Sequence, residues 1–168
     1  SDAKHQLDLE YAKITNVLNL EWLTCVGEKG AWFTETGLKR QEDFYKNESD
    51  TSVKQVVIVC DALRYEVAKE LMQELAKEKH IATIDAYQAM LPTETKYCKP
   101  ALLPHHLLEL NGTDMMVDGT LLTTTEQRTA HLGKYREGAI CTRYEDVMNG
   151  DAQSMRELFK RSLVYIFY

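Results

Sequence analysis

A chain of 168 residues with 44% hydrophobic and 27% charged content is one domain's worth of soluble globular protein, long enough to bury a core. The formal net charge of −6 argues against a broad basic footprint for DNA or an anionic membrane, though not against a local basic pocket. No apolar run approaches transmembrane length, and no signal-peptide pattern opens the chain. Cys25, Cys60, Cys98 and Cys141 lie far apart without the paired spacing of structural zinc, so a reduced, cytoplasmic protein with free thiols is expected.

Leu7, Tyr11, Ile14, Leu18 and Trp22 recur at helical spacing and predict an amphipathic helix from about Leu7 to Leu23, ended by Gly27 and Gly30. Leu38 to Tyr45 is expected to form a second short helix, and Asn47 to Ser52 a turn-rich loop. Residues 1–50 thus read as a helical lead-in to an α/β domain over 51–168. Trp22, Trp32, Phe33 and Phe44 have the makings of a platform for stacking bases. They read better as core, because no basic residues interleave densely with them.

The run Val56-Val57-Ile58-Val59-Cys60 has the β-branched composition of a parallel strand buried on both faces, with Cys60 packed as a small hydrophobe. Asp61 ends it, and a helix is predicted from about Arg64 to Lys79, with Val67, Ala68, Leu71, Met72 and Leu75 on its apolar side. Open α/β sheets bind ligands beyond the carboxyl ends of their strands, which is where Asp61 falls. Its carboxylate is free there to hold a cation or to cap the helix. Ile81 to Ala86 reads as the next strand, completing a right-handed βαβ unit.

All three prolines of the chain, Pro92, Pro100 and Pro104, constrain the following segment. Thr93 and Thr95 precede a short helical piece that either can cap, and a helix start attracts anions, as do Lys96 and Lys99. Farther on, Asp114 to Val117 reads as a strand and Asp118-Gly119 as a turn. Thr124 or Thr125 caps a helix carrying Arg128 and Leu132. Ala139 to Cys141 is a short buried run, and Asp151 to Arg161 is helical with Met155, Leu158 and Phe159 inward. Leu163 to Tyr168 is an apolar strand after which the sequence stops, which suggests truncation. His105, His106 and His131 are metal-capable, but adjacent histidines rarely reach one ion from regular structure.

Asp61-Ala62-Leu63-Arg64-Tyr65-Glu66, then Leu91-Pro92-Thr93-Glu94-Thr95, then Ala101-Leu102-Leu103-Pro104, resembles the PglZ family of bacteriophage exclusion (BREX) systems. The resemblance runs from about Val53 to Tyr168 and takes in Asp118-Gly119, Arg128 and Val164-Tyr165-Ile166. It implies an alkaline phosphatase-like three-layer α/β sandwich with a mostly parallel sheet. It also implies a cytoplasmic hydrolase with two divalent metal ions, usually zinc, that activate a Ser or Thr alkoxide and clamp a phosphoryl group.

By position, Asp61 looks like a metal-binding aspartate and Thr95 like the nucleophile and a metal ligand, with Thr93 as the other candidate. Arg64 and Lys96 are the phosphate-binding candidates, Arg64 having a structural ion pair as its plainer reading. The implied partners are a phosphate ester, nucleic acid among the options, and other BREX components such as a DNA methyltransferase. Lys96 and Lys99 stand where many relatives have uncharged residues. The later Asp and His positions of the family's metal set are missing, so the chain by itself is expected to be inactive. The competing reading is a catalytically idle scaffold that docks other BREX proteins or nucleic acid. A nucleotide-binding domain is disfavoured, since no glycine-rich loop follows the Val56–Cys60 strand.

Overall fold

The computed structural model describes residues 2–28 and 37–168. Gly30, Trp32 and Phe33, read above as a helix end and core aromatics, lie outside the described residues. The chain divides into two compact units, Ser1–Gly37 and Leu38–Tyr168.

In the first unit the described residues form the helix α1 (Asp2–Glu28). It is longer than its apolar spacing suggests, with Asp2 in the first turn complementing the helix dipole. It runs through Gly27, whose cost of about 1 kcal/mol is small beside the helix's many backbone bonds. Leu9, Val17 and Leu20 are exposed along with the predicted stripe, so α1 is apolar on several sides. Trp22 is half exposed rather than core.

The second unit opens with β1 (Lys39–Arg40), a 3-10 turn (Gln41–Asp43) and α2 (Phe44–Glu48), in place of one helix over 38–45. Phe44 and Tyr45 pack against the core, as expected for Phe44. The run 56–60 becomes β2 (Gln55–Val59), and the helix after Asp61 is α3 (Tyr65–Lys77). Then come β3 (Tyr87–Gln88), α4 (Thr95–Ala101), β4 (Leu108–Asn111), β5 (Asp114–Val117) and β6 (Thr120–Leu121). The chain continues through α5 (Thr125–Gly133), β7 (Ile140–Arg143), α6 (Tyr144–Met148), α7 (Ala152–Leu158) and β8 (Leu163–Phe167).

The architecture is mixed α/β with three small sheets. β8 lies between β2 and β7, parallel to both. All five residues of β8 are buried, as the run Leu-Val-Tyr-Ile-Phe demands. β4, β5 and β6 form an antiparallel meander, and β1 pairs with β3 in parallel. Leu103, Val117, Leu132, Leu163 and Tyr165 centre the core. Cys141 sits among them, where burial pushes its thiol up to about 12.

Several expectations are corrected. β2 is an edge strand with one covered face: Val59 is buried, whereas Val56 and Ile58 are 49% and 60% exposed. Cys60, just past its end, is exposed rather than buried. Residues 81–86 form no strand; Ile81 is fully exposed, and the neighbour of β2 is β8. An apolar alternation without an adjacent strand has no ladder to join, and the Ala86 amide donates to the Asp85 carboxylate instead. The expected βαβ unit is therefore not closed at 81–86. A parallel one forms later, where α6 and α7 link β7 to β8.

Neither threonine caps α4: Glu94 holds the N-cap position without a side-chain bond, and Thr95 is the first helical residue. Phe159 is 44% exposed, while Met155 and Leu158 are partly buried as expected. Thr124 does cap α5, in a reciprocal capping box with Gln127, and Asp151 caps α7. The Asp118-Gly119 turn forms between β5 and β6, with φ of 48° and 74°.

Arg136, which carried no signal in the sequence, is 7% exposed and ties two strand starts together. Its guanidinium donates to the carbonyl oxygens of Asp50, Val53 and Ser162 and to Gln55 Oε1. That fixes the residues leading into β2 against those leading into β8. The register of the pair follows, and with it the position of Asp61.

Candidate functional site

β2 and β8 pair through to their carboxyl ends, and one more bond, Tyr168 N–H to Val59 O at 3.0 Å, extends the ladder. The chain then turns sharply, with Ala62 at φ 54°, a left-handed conformation in which a Cβ is strained. Asp61 thus stands at the rim of the sheet. From the other side α4 presents Thr95, whose Oγ1 lies 3.3 Å from both Oδ1 and Oδ2 of Asp61. This is long for a hydroxyl–carboxylate bond, so the alcohol sits astride the carboxylate rather than tightly on one oxygen.

A third group joins them. Lys99 Nζ lies 3.1 Å from Asp61 Oδ2 and donates to the Tyr168 carbonyl oxygen at 3.2 Å. Thr95 and Lys99 are four residues apart on α4 and therefore share a face. That spacing is legible in the sequence, whereas Lys96, the phosphate-binding candidate there, is only one residue from Thr95. Lys96 instead turns back to Glu94 Oε2 at 3.6 Å and lies over the Tyr97 ring at 4.6 Å. The Tyr97 contact is the main cause of its raised pKa.

Thr93 is exposed, two residues before the helix. Arg64 is exposed at the N-cap of α3 and makes no ion pair among the described residues. The histidines are engaged elsewhere: His105 Nδ1 and His131 Nε2 each lie 2.7 Å from a backbone carbonyl oxygen, of Leu103 and Pro104. Asp118 accepts from the amides of His106 and Leu107 and from the Tyr135 hydroxyl. Burial alone pushes its pKa up, but these donors outweigh that and hold it down at about 2.

Asp61 and Thr95 supply two converging oxygen donors, a set that suits part of the shell of one divalent cation. No cluster of three His, Cys, Asp or Glu side chains is placed to hold a metal among the described residues. The pair therefore fits one share of a metal site and not a complete two-metal centre.

Fold and site together define a mixed α/β domain that brings a carboxylate and an alcohol to the carboxyl rim of a parallel sheet. Residues 42–168 match the family model described as the BREX system PglZ alkaline phosphatase-like domain, and the chain belongs to this PglZ family. It is similar to the alkaline phosphatase-like protein PglZ of Bacillus cereus (strain H3081.97), 31% identical over 161 residues, covering 91% of this chain and 19% of that protein. It is also similar to the alkaline phosphatase-like protein BrxZ of Escherichia coli O9:H4 (strain HS), 32% identical over 143 residues, 79% of this chain and 16% of that one. The chain thus spans less than a fifth of these relatives. No solved structure matches it. No helix among the described residues is long and apolar enough to cross a membrane.

Proposed function

We propose that this chain forms part of a metal-dependent phosphohydrolase of a BREX defence system, with Thr95 as nucleophile and Asp61 as a metal ligand. The observation that carries the reading is the convergence of the Thr95 hydroxyl on the Asp61 carboxylate. A threonine alcohol is a weak nucleophile unless a base or a cation helps remove its proton. Asp61, across the hydroxyl, is the group that can accept a hydrogen bond from Oγ1 as the alcohol turns towards phosphorus. Lys99, paired with the same carboxylate, steadies it at the rim. A bound divalent cation, zinc by family resemblance, supplies Lewis-acid activation of the alcohol and charge neutralisation at the phosphoryl group; Asp61 and Thr95 would hold it.

The three-layer sandwich belongs to this proposal. In its support, Val56 and Ile58 of β2 and Val67 and Leu71 of α3 are apolar and about half exposed, surfaces of the kind that a further layer covers. The substrate is a phosphate ester, nucleic acid included, and the partners are other BREX components such as a DNA methyltransferase. The deciding experiment is hydrolysis of a chromogenic phosphodiester and monoester by the intact protein with zinc or manganese, with Thr95→Ala alongside. Loss of turnover in the variant is expected; equal turnover removes Thr95 from the role.

A further inference from the structure

A cleft of about 350 Å³ opens beside Thr95, between α4 and the β5–β6–α5 segment. Its lining combines three cations, Lys96, Lys99 and Arg128, with the apolar Pro100, Met115 and Leu121: α4 brings the two lysines and Pro100, and the facing segment brings the rest. Lys96 and Lys99 each have an acidic neighbour, Glu94 and Asp61. Arg128 differs: half-buried on α5, it has no ion pair among the described residues. Its Nε donates to the Leu122 carbonyl oxygen at 3.2 Å, and its guanidinium lies over the Phe167 ring at 4.8 Å. Those two contacts anchor the group and leave both terminal nitrogens without a hydrogen bond among the described residues.

A guanidinium anchored in place, partly desolvated and unpaired is a costly arrangement unless an anion completes it. Its two free nitrogens match the paired oxygens of a phosphoryl group. Asp114 also lines the cleft and sets a limit on how much negative charge the ligand can bring.

We propose that Arg128 is the anion-binding residue of a substrate cleft that takes a phosphate ester bearing an apolar or aromatic group. The phosphoryl oxygens lie against Arg128 and Lys99, and the organic part lies on Pro100, Met115 and Leu121. This deepens the phosphohydrolase reading and rests on it for the ester's fate, but the binding itself does not require turnover.

The test is calorimetric binding of phenyl phosphate and of inorganic phosphate to the intact protein, its Arg128→Met and Arg128→Lys variants, and Met115→Ala. Phenyl phosphate is expected to bind more tightly than inorganic phosphate. Arg128→Met should weaken both by about ten- to hundredfold, the effect of losing a charged hydrogen-bonding pair. Arg128→Lys should recover part of the loss, and Met115→Ala should narrow the difference between the two ligands. Circular dichroism and melting of each variant check that it has folded. Folded Arg128→Met that binds phenyl phosphate as tightly as the parent overturns the proposal, as does equal affinity of the parent for the two ligands. Thr95→Ala separates this from the hydrolytic reading. Binding retained without turnover supports both, and binding present where no variant or parent hydrolyses the ester removes only the hydrolase.

Discussion

Thr95 Oγ1 stands equidistant, at 3.3 Å, from the two carboxylate oxygens of Asp61, thirty-four positions away in sequence. One comes from the end of a strand and the other from the first residue of a helix, so their meeting depends on the packing of both elements. Thr95→Ala is expected to lower turnover of a phosphate ester at least about a hundredfold, whereas Thr93→Ala should keep most of it. Steady-state assays of the two variants, side by side, check this. A reversed order would move the nucleophile to Thr93.

Lys99 pairs with the carboxylate proposed above as a metal ligand. Replacing it with methionine removes an ammonium 3.1 Å from Asp61 Oδ2. Manganese binding, followed by calorimetry, should tighten by about three- to tenfold. The same change should cost about 1 kcal/mol of stability, because Lys99 also holds the Tyr168 carbonyl oxygen. Unchanged metal affinity would mean that the ammonium and a cation use different sides of the carboxylate.

Arg136→Met should be far more damaging. Three backbone carbonyl oxygens and the Gln55 side chain lose their donor in a part-buried place. The expected loss is about 3 kcal/mol or more, read as a shift of the urea midpoint. Loss of under about 0.5 kcal/mol would show that water replaces the guanidinium freely.

Asp118 gives the domain an acid-sensitive contact. Its carboxyl titrates at about 2 when folded, against an ordinary value of 3.8. A lowered folded pKa means stability that is complete above the ordinary value and is lost as the pH falls through that interval to about 2. The contribution is about 1 kcal/mol once solvent exposure is allowed for. Asp118→Asn keeps the left-handed turn conformation that Asn tolerates, yet should flatten this part of the acid melting curve. An unaltered curve would place the acid transition in other carboxylates.

Much of this was legible from local pattern. The run ending at Asp61, the helix after it, the Asp118-Gly119 turn, the Thr124 cap and the closing apolar strand all follow from short-range chemistry. The failures are of three physical kinds. Residues 81–86 look like a strand but find no pairing partner, which periodicity cannot reveal. β4 was missed although Asn111-Gly112 precedes a clear strand; Gly112, at φ 63°, is the first of two residues in the hairpin turn. Arg136 and Lys99 act through distant partners, and only the four-residue step from Thr95 to Lys99 hinted at either.

The parallel pairing of β2 with β8 joins segments separated by more than a hundred positions. A nascent chain leaving the ribosome therefore carries β2 without its sheet neighbour until β8 emerges. Such high contact order slows folding and leaves an apolar edge open to wrong neighbours meanwhile. Chains arrested before β8 emerges lack the strand that sets the rim beside Asp61 and are at risk of aggregation.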